Sequence, residues 1–161
     1  MKKSIVMGAL IASSLFGAGV SAQERCTGPN LTKLLETDLS SLNKVKQEAA
    51  FARAMGGAEV YAYYQEKEIK VITARFESDA GGADMNFYLD NKTDYLMEYH
   101  IKQNSNFYGE PDSVLLTDEK SYYHVCDGEL LAPAFGGIIN EEIFDNMKLV
   151  LDVILTEAGE N

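Results

Sequence analysis

Apolar residues recur at three- and four-residue steps near the start of the chain. They are Leu31, Leu34, Leu35, Leu39, Leu42, Val45, Ala49 and Ala52, and on an α-helix they would form one stripe. Gly56-Gly57 follows, and glycine commonly supplies the left-handed conformation that ends a helix. The pattern predicts an N-terminal amphipathic helix with a candidate break near Asp38.

From Ala58 to Pro133 the hydrophobic period changes to two, and residues that favour β-strands dominate. Three strand-turn-strand units follow one another: "VYAYY" with "IKVITARF", "MNFYL" with "YLMEYHI", and "SYYHVC" with "LLA". The last pair flanks Asp127-Gly128, a dipeptide typical of tight hairpins. We expect an antiparallel meander of about five to six strands, with loops at 77–84 and 103–113.

A second helix is predicted from about Asn140 to Ala158. Asn140 suits the N-cap, and Glu141 and Glu142 lie in the first turn. Its apolar stripe consists of Ile143, Phe144, Met147, Val150, Leu151 and Ile154. This stripe must be covered, so we expect an α+β fold in which the N-terminal and C-terminal helices pack on one face of the sheet.

The first residues are typical of an export signal. Lys2 and Lys3 precede an apolar run from Ile5 to Val20, and the small residues Val20-Ser21-Ala22 form a cleavage site. The run is shorter than the ~20 apolar residues of a spanning helix. We therefore expect residues 1–22 to be a cleaved signal peptide and 23–161 to form a single domain of a periplasmic or secreted protein, with no membrane association after cleavage.

The net charge of the chain limits the classes of molecule that it is expected to bind. Removing Lys2 and Lys3 leaves 12 basic residues against 25 acidic ones, a net charge of −13. Such a charge repels phosphate backbones, so nucleic acid and anionic membranes are poor partners, and we expect neither. A basic protein partner would be attracted, although the same acidity could serve only to keep the protein soluble.

The chain has two cysteines, Cys26 and Cys126. Export places them in an oxidising compartment, which favours an intramolecular disulfide. The bridge would close about 100 residues, for which loop entropy gives on the order of 4 to 5 kcal/mol of stabilisation. Two free thiols or an intermolecular bridge are the alternatives.

The stretch "YLDNKTDYLMEYH", residues 88–100, is rich in oxygen and nitrogen side chains. As a calcium loop starting at Asp90 it fails, because Lys92, Tyr95 and Ile101 occupy places that need an oxygen ligand, glycine and glutamate. Asp90 and Asn91 suit a turn instead. On the strand that follows, Glu98 and His100 share a face and could act as an acid/base couple, although a solvated strand face needs no function.

The sequence gives only weak support for other kinds of catalytic or metal site. A zinc site of His100, His124 and Cys126 can be drawn, but it needs a thiolate that a disulfide would remove. No serine lies in a Gly-x-Ser-x-Gly turn, and no phosphate-binding loop is present in the sequence. A hydrolase using an unidentified carboxylate pair is the remaining enzyme hypothesis. No cofactor is indicated, and an enzyme is the less favoured reading.

The predicted function is based on the aromatic residues of the chain. The chain has nine Tyr, seven Phe and no Trp, and most of the tyrosines lie on predicted strands. Tyrosines on the sheet face that the helices leave uncovered would suit recognition, although they could also belong to the core. The sequence therefore favours a non-enzymatic binding module, with Tyr63, Tyr88, Tyr122, Glu98 and His100 as the candidate acidic, tyrosine-rich surface. It gives no indication of the oligomeric state.

Overall fold

The computed structural model describes residues 28–48, 58–78, 81–104, 115–131 and 140–159. The predicted signal peptide, Cys26, the Gly56-Gly57 helix stop and most of the predicted loop at 103–113 lie outside these residues. Within the described ranges, no helix combines the length and the apolar character needed to cross a bilayer.

The fold is built on one antiparallel sheet of seven strands whose spatial order follows the chain. The strands are β1 (Asn43–Gln47), β2 (Glu59–Gln65), β3 (Glu68–Ser78), β4 (Gly81–Leu89), β5 (Tyr95–Asn104), β6 (Leu115–Cys126) and β7 (Glu129–Leu130). The predicted meander and its three hairpins are confirmed. In the last hairpin both turn residues, Asp127 and Gly128, have positive φ angles of 51° and 79°, as a two-residue primed turn requires.

Strand β1, which the sequence did not predict, lies where a helix was expected. In the described part of that segment, residues 28–48, only α1 (Gly28–Thr32) is α-helical, and it is followed by 3₁₀ turns at Lys33–Glu36 and Leu39–Ser41 and then by β1. The Asp38 carboxylate accepts a hydrogen bond from the Ser40 N–H at 2.9 Å and thereby caps the start of the second 3₁₀ turn. Val45 then pairs with Ala62 of β2. The predicted break near Asp38 is present, but the part of the predicted helix after it is wrong: Asn43–Gln47 is a strand, because pairing with β2 outweighs the helical periodicity.

The C-terminal helix agrees with the prediction. It is α2 (Glu141–Gly159), and the Ile143 N–H donates to the Asn140 side-chain oxygen at 3.1 Å, as expected of an N-cap. The predicted stripe is its buried side. Phe144, Met147, Val150, Leu151 and Ile154 are each at most 8% exposed.

The main core lies between α2 and one face of the sheet. Besides the α2 stripe it contains Val60, Ala62, Ile72, Ala74, Phe87, Leu89, Tyr95, Met97, Tyr123 and Val125. The rings of Tyr123 and Phe144 are 6.1 Å apart between centroids, within the range of favourable aromatic contacts. This face is therefore closed by the helix.

The N-terminal helix does not share that face, which corrects the expected packing. Leu96 and Val71 point away from α2 by strand alternation, yet both are fully buried. Gly28–Glu36 contacts β4 and β5, and its Leu31 is buried outside the α2 core. We therefore place the N-terminal segment over the opposite face, at the end of the sheet where Leu96 lies.

The predicted loop at 77–84 is mostly strand, because β3 extends to Ser78 and β4 begins at Gly81. Glycine usually weakens strands, but here the backbones approach too closely for a side chain. A Cβ at Gly82 would lie 2.6 Å from the Phe76 carbonyl oxygen, and Gly81 has a φ of 135° that other residues rarely adopt. These glycines permit the sheet to continue.

Candidate functional site

The sheet face opposite α2 brings the predicted surface residues together. We call it the tyrosine face. By register and alternation it carries Lys44, Lys46, Glu59, Tyr61, Tyr63, Val71, Thr73, Arg75, Glu77, Asp84, Asn86, Tyr88, Leu96, Glu98, His100, Lys102, Asp118, Lys120, Tyr122 and His124. Tyr63, Tyr88, Tyr122, Glu98 and His100 are all among them.

The tyrosines divide between the two faces. Tyr95 and Tyr123 are 2% exposed in the α2 core, and Tyr64 and Tyr99 pack against it. The tyrosine face holds the others that lie on strands, Tyr61, Tyr63, Tyr88 and Tyr122, and these are half-buried. The sequence left open whether tyrosines were core or surface, and the structure contains both kinds.

Glu98 lies at the centre of the tyrosine face, opposite Asn86 on β4 and Tyr122 on β6. It is only 7% exposed, and its carboxylate accepts a hydrogen bond from the Lys120 ammonium at 3.0 Å. That bond raises the pKa of Lys120 above its ordinary value. A carboxylate removed from water needs such a partner, so this pair fixes the middle of the face.

The surroundings of Tyr88 limit the reactions in which its hydroxyl can take part. Burial, followed by the charge of Glu98 and by Tyr122, raises the pKa of Tyr88 to about 12. A phenol with this pKa stays protonated at neutral pH. Tyr88 therefore offers a hydroxyl for hydrogen bonding and a ring for packing, and it is not a phenolate nucleophile or base.

His100 belongs to a second cross-strand group. Its Nε2 bonds the Asp118 carboxylate, and its Nδ1 lies 3.9 Å from an oxygen of Asp84. Arg75 donates from Nε to the other side of the Asp84 carboxylate at 2.8 Å. The bond from His100 also lowers the pKa of Asp118. The group forms a chain of polar contacts, Arg75–Asp84–His100–Asp118, across strands β3 to β6.

The proposed acid/base couple of Glu98 and His100 takes a different form in the structure. The two residues share the face, but each bonds another partner: Glu98 bonds Lys120, and His100 bonds Asp118. Asp84, Glu98 and Asp118 thus each have a cationic or imidazole partner on this face. This arrangement stabilises a surface and leaves no pair of these acids poised around a scissile bond.

An open hollow of about 300 Å³ lies beside this group, towards β1. Its lining includes Tyr61, Tyr63, Arg75 and Asp84. The Lys44 ammonium lies 3.8 Å from the centre of the Tyr61 ring, a cation–π distance. Sequence reasoning missed Lys44, Arg75 and Asp84 because only the strand register brings them next to the tyrosines.

The residues drawn as a zinc site do not converge. His124 pairs with Leu96, whereas His100 pairs with Lys120. Four residues of strand separate the two histidines, about 13 Å at the usual rise per residue. One zinc ion cannot bind both, since its nitrogen ligands lie ~2 Å from the metal.

Among the described residues, ligand atoms of Asp94, Cys126 and Asp127 do lie within 4.8 Å of one another. The Asp94 carboxylate already accepts hydrogen bonds from the Asn91 amide at 2.9 Å and from the Asp127 N–H at 2.8 Å. Cys126 is the cysteine of the predicted disulfide. These atoms are better explained as a turn network than as a metal centre.

The stretch from Asp90 to Asp94 is the predicted turn. The Asn91 side-chain oxygen accepts bonds from the N–H groups of Thr93 and Asp94, at 2.8 and 2.9 Å. Both Asp90 and Asn91 donate their N–H groups to the Asp94 carbonyl. Local hydrogen bonding of this kind is the usual role of Asn and Asp in turns.

The acidity of the molecule is not concentrated on the tyrosine face. Within the described residues, that face carries both signs, with Lys44, Lys46, Arg75, Lys102 and Lys120 beside Glu59, Glu77, Asp84, Glu98 and Asp118. The exposed side of α2 carries Glu141, Glu142, Asp145 and Asp152, and its one basic residue is Lys148. The expected acidic, tyrosine-rich surface is thus divided between two sides of the molecule.

No protein-family model, no curated protein and no solved structure matches this chain.

Proposed function

We propose that the protein is an exported, non-enzymatic binding module whose contact surface is the tyrosine face. The observation that carries this proposal is the set of four half-buried tyrosines on the sheet face that α2 does not cover. Tyrosine supplies a large apolar ring and a hydroxyl at low entropic cost, and it is enriched at protein interfaces.

The charges of this face suit binding rather than catalysis. Lys120 neutralises Glu98, and Arg75 and His100 flank Asp84. Paired charges hold their side chains in one conformation, so a partner meets a preorganised surface. Catalysis by a carboxylate would instead favour an acid that faces a cleft with a perturbed proton affinity.

The proposed partner is a basic protein. The chain carries a net charge of −11, which would accelerate the approach of a cationic partner. The acids on the outer side of α2 contribute to this long-range attraction, whereas the tyrosines supply the contact itself. In this proposal the residues that attract the partner at long range and the residues that contact it lie on different parts of the surface.

Capture of a partner from periplasmic or culture extract tests the proposal. The immobilised protein should capture a basic protein strongly at low ionic strength and weakly at high ionic strength, because salt screens the attraction. Replacing Tyr63 and Tyr122 together by alanine should abolish capture at both ionic strengths. The matched control is Leu149→Ala, a truncation at a 61% exposed position on α2 that should capture normally.

Two results would contradict the proposal. One is capture that survives the loss of both tyrosines. The other is cleavage of a polymer substrate by the purified protein, with the activity lost in Glu98→Gln or Asp84→Asn, which would favour the hydrolase instead.

A further inference from the structure

A second concave site lies on the α2 side of the sheet, away from the tyrosine face. It is a pocket of about 340 Å³ between the β2–β3 turn, the β4–β5 turn and the C-terminal part of α2. Its apolar lining consists of Tyr64, Ile69, Leu89 and Leu155. All four pack in or against the main core, so the floor of the pocket is held by well-ordered side chains.

Three lysines, Lys67, Lys70 and Lys92, line the same pocket. Lys70 is paired with Glu68 at 2.8 Å, and hydrogen bonding to Lys70 lowers the pKa of Glu68. Within the described part of the chain, Lys67 and Lys92 have no ion-pair partner. They come from different turns, so the fold brings two lysines without an ion pair to one opening, beside the carboxylate of Asp90.

This concentration of lysine is unusual for the molecule. The chain has 25 acidic residues against 14 basic ones, yet the pocket is lined by three lysines and only two acids, Glu68 and Asp90. An apolar floor below a cationic rim is complementary to a molecule with an apolar tail and an anionic head. A neutral ligand would use the floor alone, and a cation would be repelled by the rim.

We propose that this pocket binds an amphipathic carboxylate with a medium-length alkyl chain. The tail would lie against Ile69, Leu89 and Leu155, and the carboxylate would bond the ammonium groups of Lys67 and Lys92. The pocket is at the small end of the range for ligand sites, roughly 300 to 1,000 Å³, which fits a single unbranched chain.

Calorimetric titration of the purified protein with decanoate, decan-1-ol and decyltrimethylammonium tests this proposal. The three probes share the alkyl chain and differ in head charge. Decanoate should bind about tenfold more tightly than decan-1-ol, a difference that ion pairs to the two exposed lysines, Lys67 and Lys92, can supply together. The cation should show no saturable binding.

Substitutions in the pocket test whether decanoate binds there. Lys67→Gln with Lys92→Gln should weaken decanoate about tenfold and bring its affinity close to that of decan-1-ol. The matched control, Lys44→Gln with Lys46→Gln, removes the same charge from the opposite face and should leave the affinity unchanged. Leu155→Asp should abolish binding of both decanoate and decan-1-ol, and circular dichroism checks that it remains folded.

Three results would overturn the proposal. They are no saturable decanoate binding, equal affinity for decanoate and decan-1-ol, and equal loss in the Lys44/Lys46 control. None of these depends on the tyrosine face, so failure here leaves the proposed protein-binding function untouched.

Discussion

The carboxylate of Asp94 accepts a hydrogen bond from the backbone N–H of Asp127 at 2.8 Å, although 33 residues separate them. A second bond runs the same way, from the Gly128 N–H to the Thr93 carbonyl at 2.9 Å. The turn of the β4–β5 hairpin is thereby tied to the turn of the β6–β7 hairpin. A feature that resembles a cation-binding loop in the sequence is a structural clamp.

Asp94→Ala should destabilise the protein by about 2 to 3 kcal/mol, because it leaves the Asp127 N–H and the Asn91 amide without their acceptor in a part-buried site. Urea unfolding measures the loss. Asp90→Ala is the control: Asp90 is exposed, and its backbone N–H would still donate to the Asp94 carbonyl. We expect the control to change stability by no more than about 0.5 kcal/mol, and equal effects would argue against a clamp.

The packing of α2 gives a second prediction. Met147 is fully buried, and Met147→Ala should cost about 3 kcal/mol through lost transfer energy and the cavity left behind. Leu149→Ala shortens a side chain that is 61% exposed on the same helix and should cost about 0.5 kcal/mol or less. Chemical denaturation of both variants gives the comparison. Similar losses would mean that α2 packs on the sheet in another orientation.

The disulfide between Cys26 and Cys126 stays a prediction. Cys126 is 6% exposed and shares the strand face of His124. The N-terminal helix begins at Gly28, two residues after Cys26, and its segment contacts β5, the neighbour of β6. Cys26 itself lies outside the described residues.

Thiol titration of the denatured, unreduced protein should find no free thiol. Reduction should lower stability by on the order of 4 to 5 kcal/mol, since the bridge would close a loop of about 100 residues. Detection of two thiols would reject the bridge. A zinc assay would then be the next measurement, with Asp94, Cys126 and Asp127 as the ligands to replace.

His124 gives a prediction about pH. It is 2% exposed, and burial lowers its pKa below the ordinary value of 6.5. The unfolded chain thus takes up a proton near pH 6.5, and the folded chain does so only at lower pH. Stability from the buried neutral imidazole is fully present above pH 6.5 and is lost as the pH falls towards the folded pKa.

Urea unfolding should therefore show stability falling as the pH is lowered from about 7.5 to about 5, and less steeply in His124→Gln. Titration of the His124 ring protons by NMR is the direct measurement. A midpoint at or above 6.5 would contradict the prediction.

The sequence predicted the hairpins well because each has its own local signal. The alternation of β2 and β3 and the Asp127-Gly128 turn are readable without knowledge of any distant residue. Strand β1 was missed because Val45 and its neighbours also fit a helical period, and its pairing with Ala62 is a tertiary interaction. Gly81 and Gly82 were predicted to lie in a loop, because the amino-acid composition of a segment does not reveal that two backbones approach closely.

The candidate site was predicted in part for the same reason. Alternation along a single strand correctly put Glu98 and His100 on one face, and the tyrosine face contains every residue proposed for it. The partners of these residues come from other strands. Lys120, Asp118 and Asp84 could be assigned only after the register was known, so the sequence suggested an acid/base couple where the structure has two separate pairs.

Strand β1 ends the sheet within the described part of the chain, and its outward N–H and C=O groups could template further strands. Antiparallel pairing of β1 with a second copy, centred on Val45, would set each Lys44 directly against a Lys46. Bringing like charges together at strand spacing is unfavourable, and the ammonium groups would also lose water. The two lysines that border the tyrosine face therefore disfavour pairing of β1 with a second copy in this register.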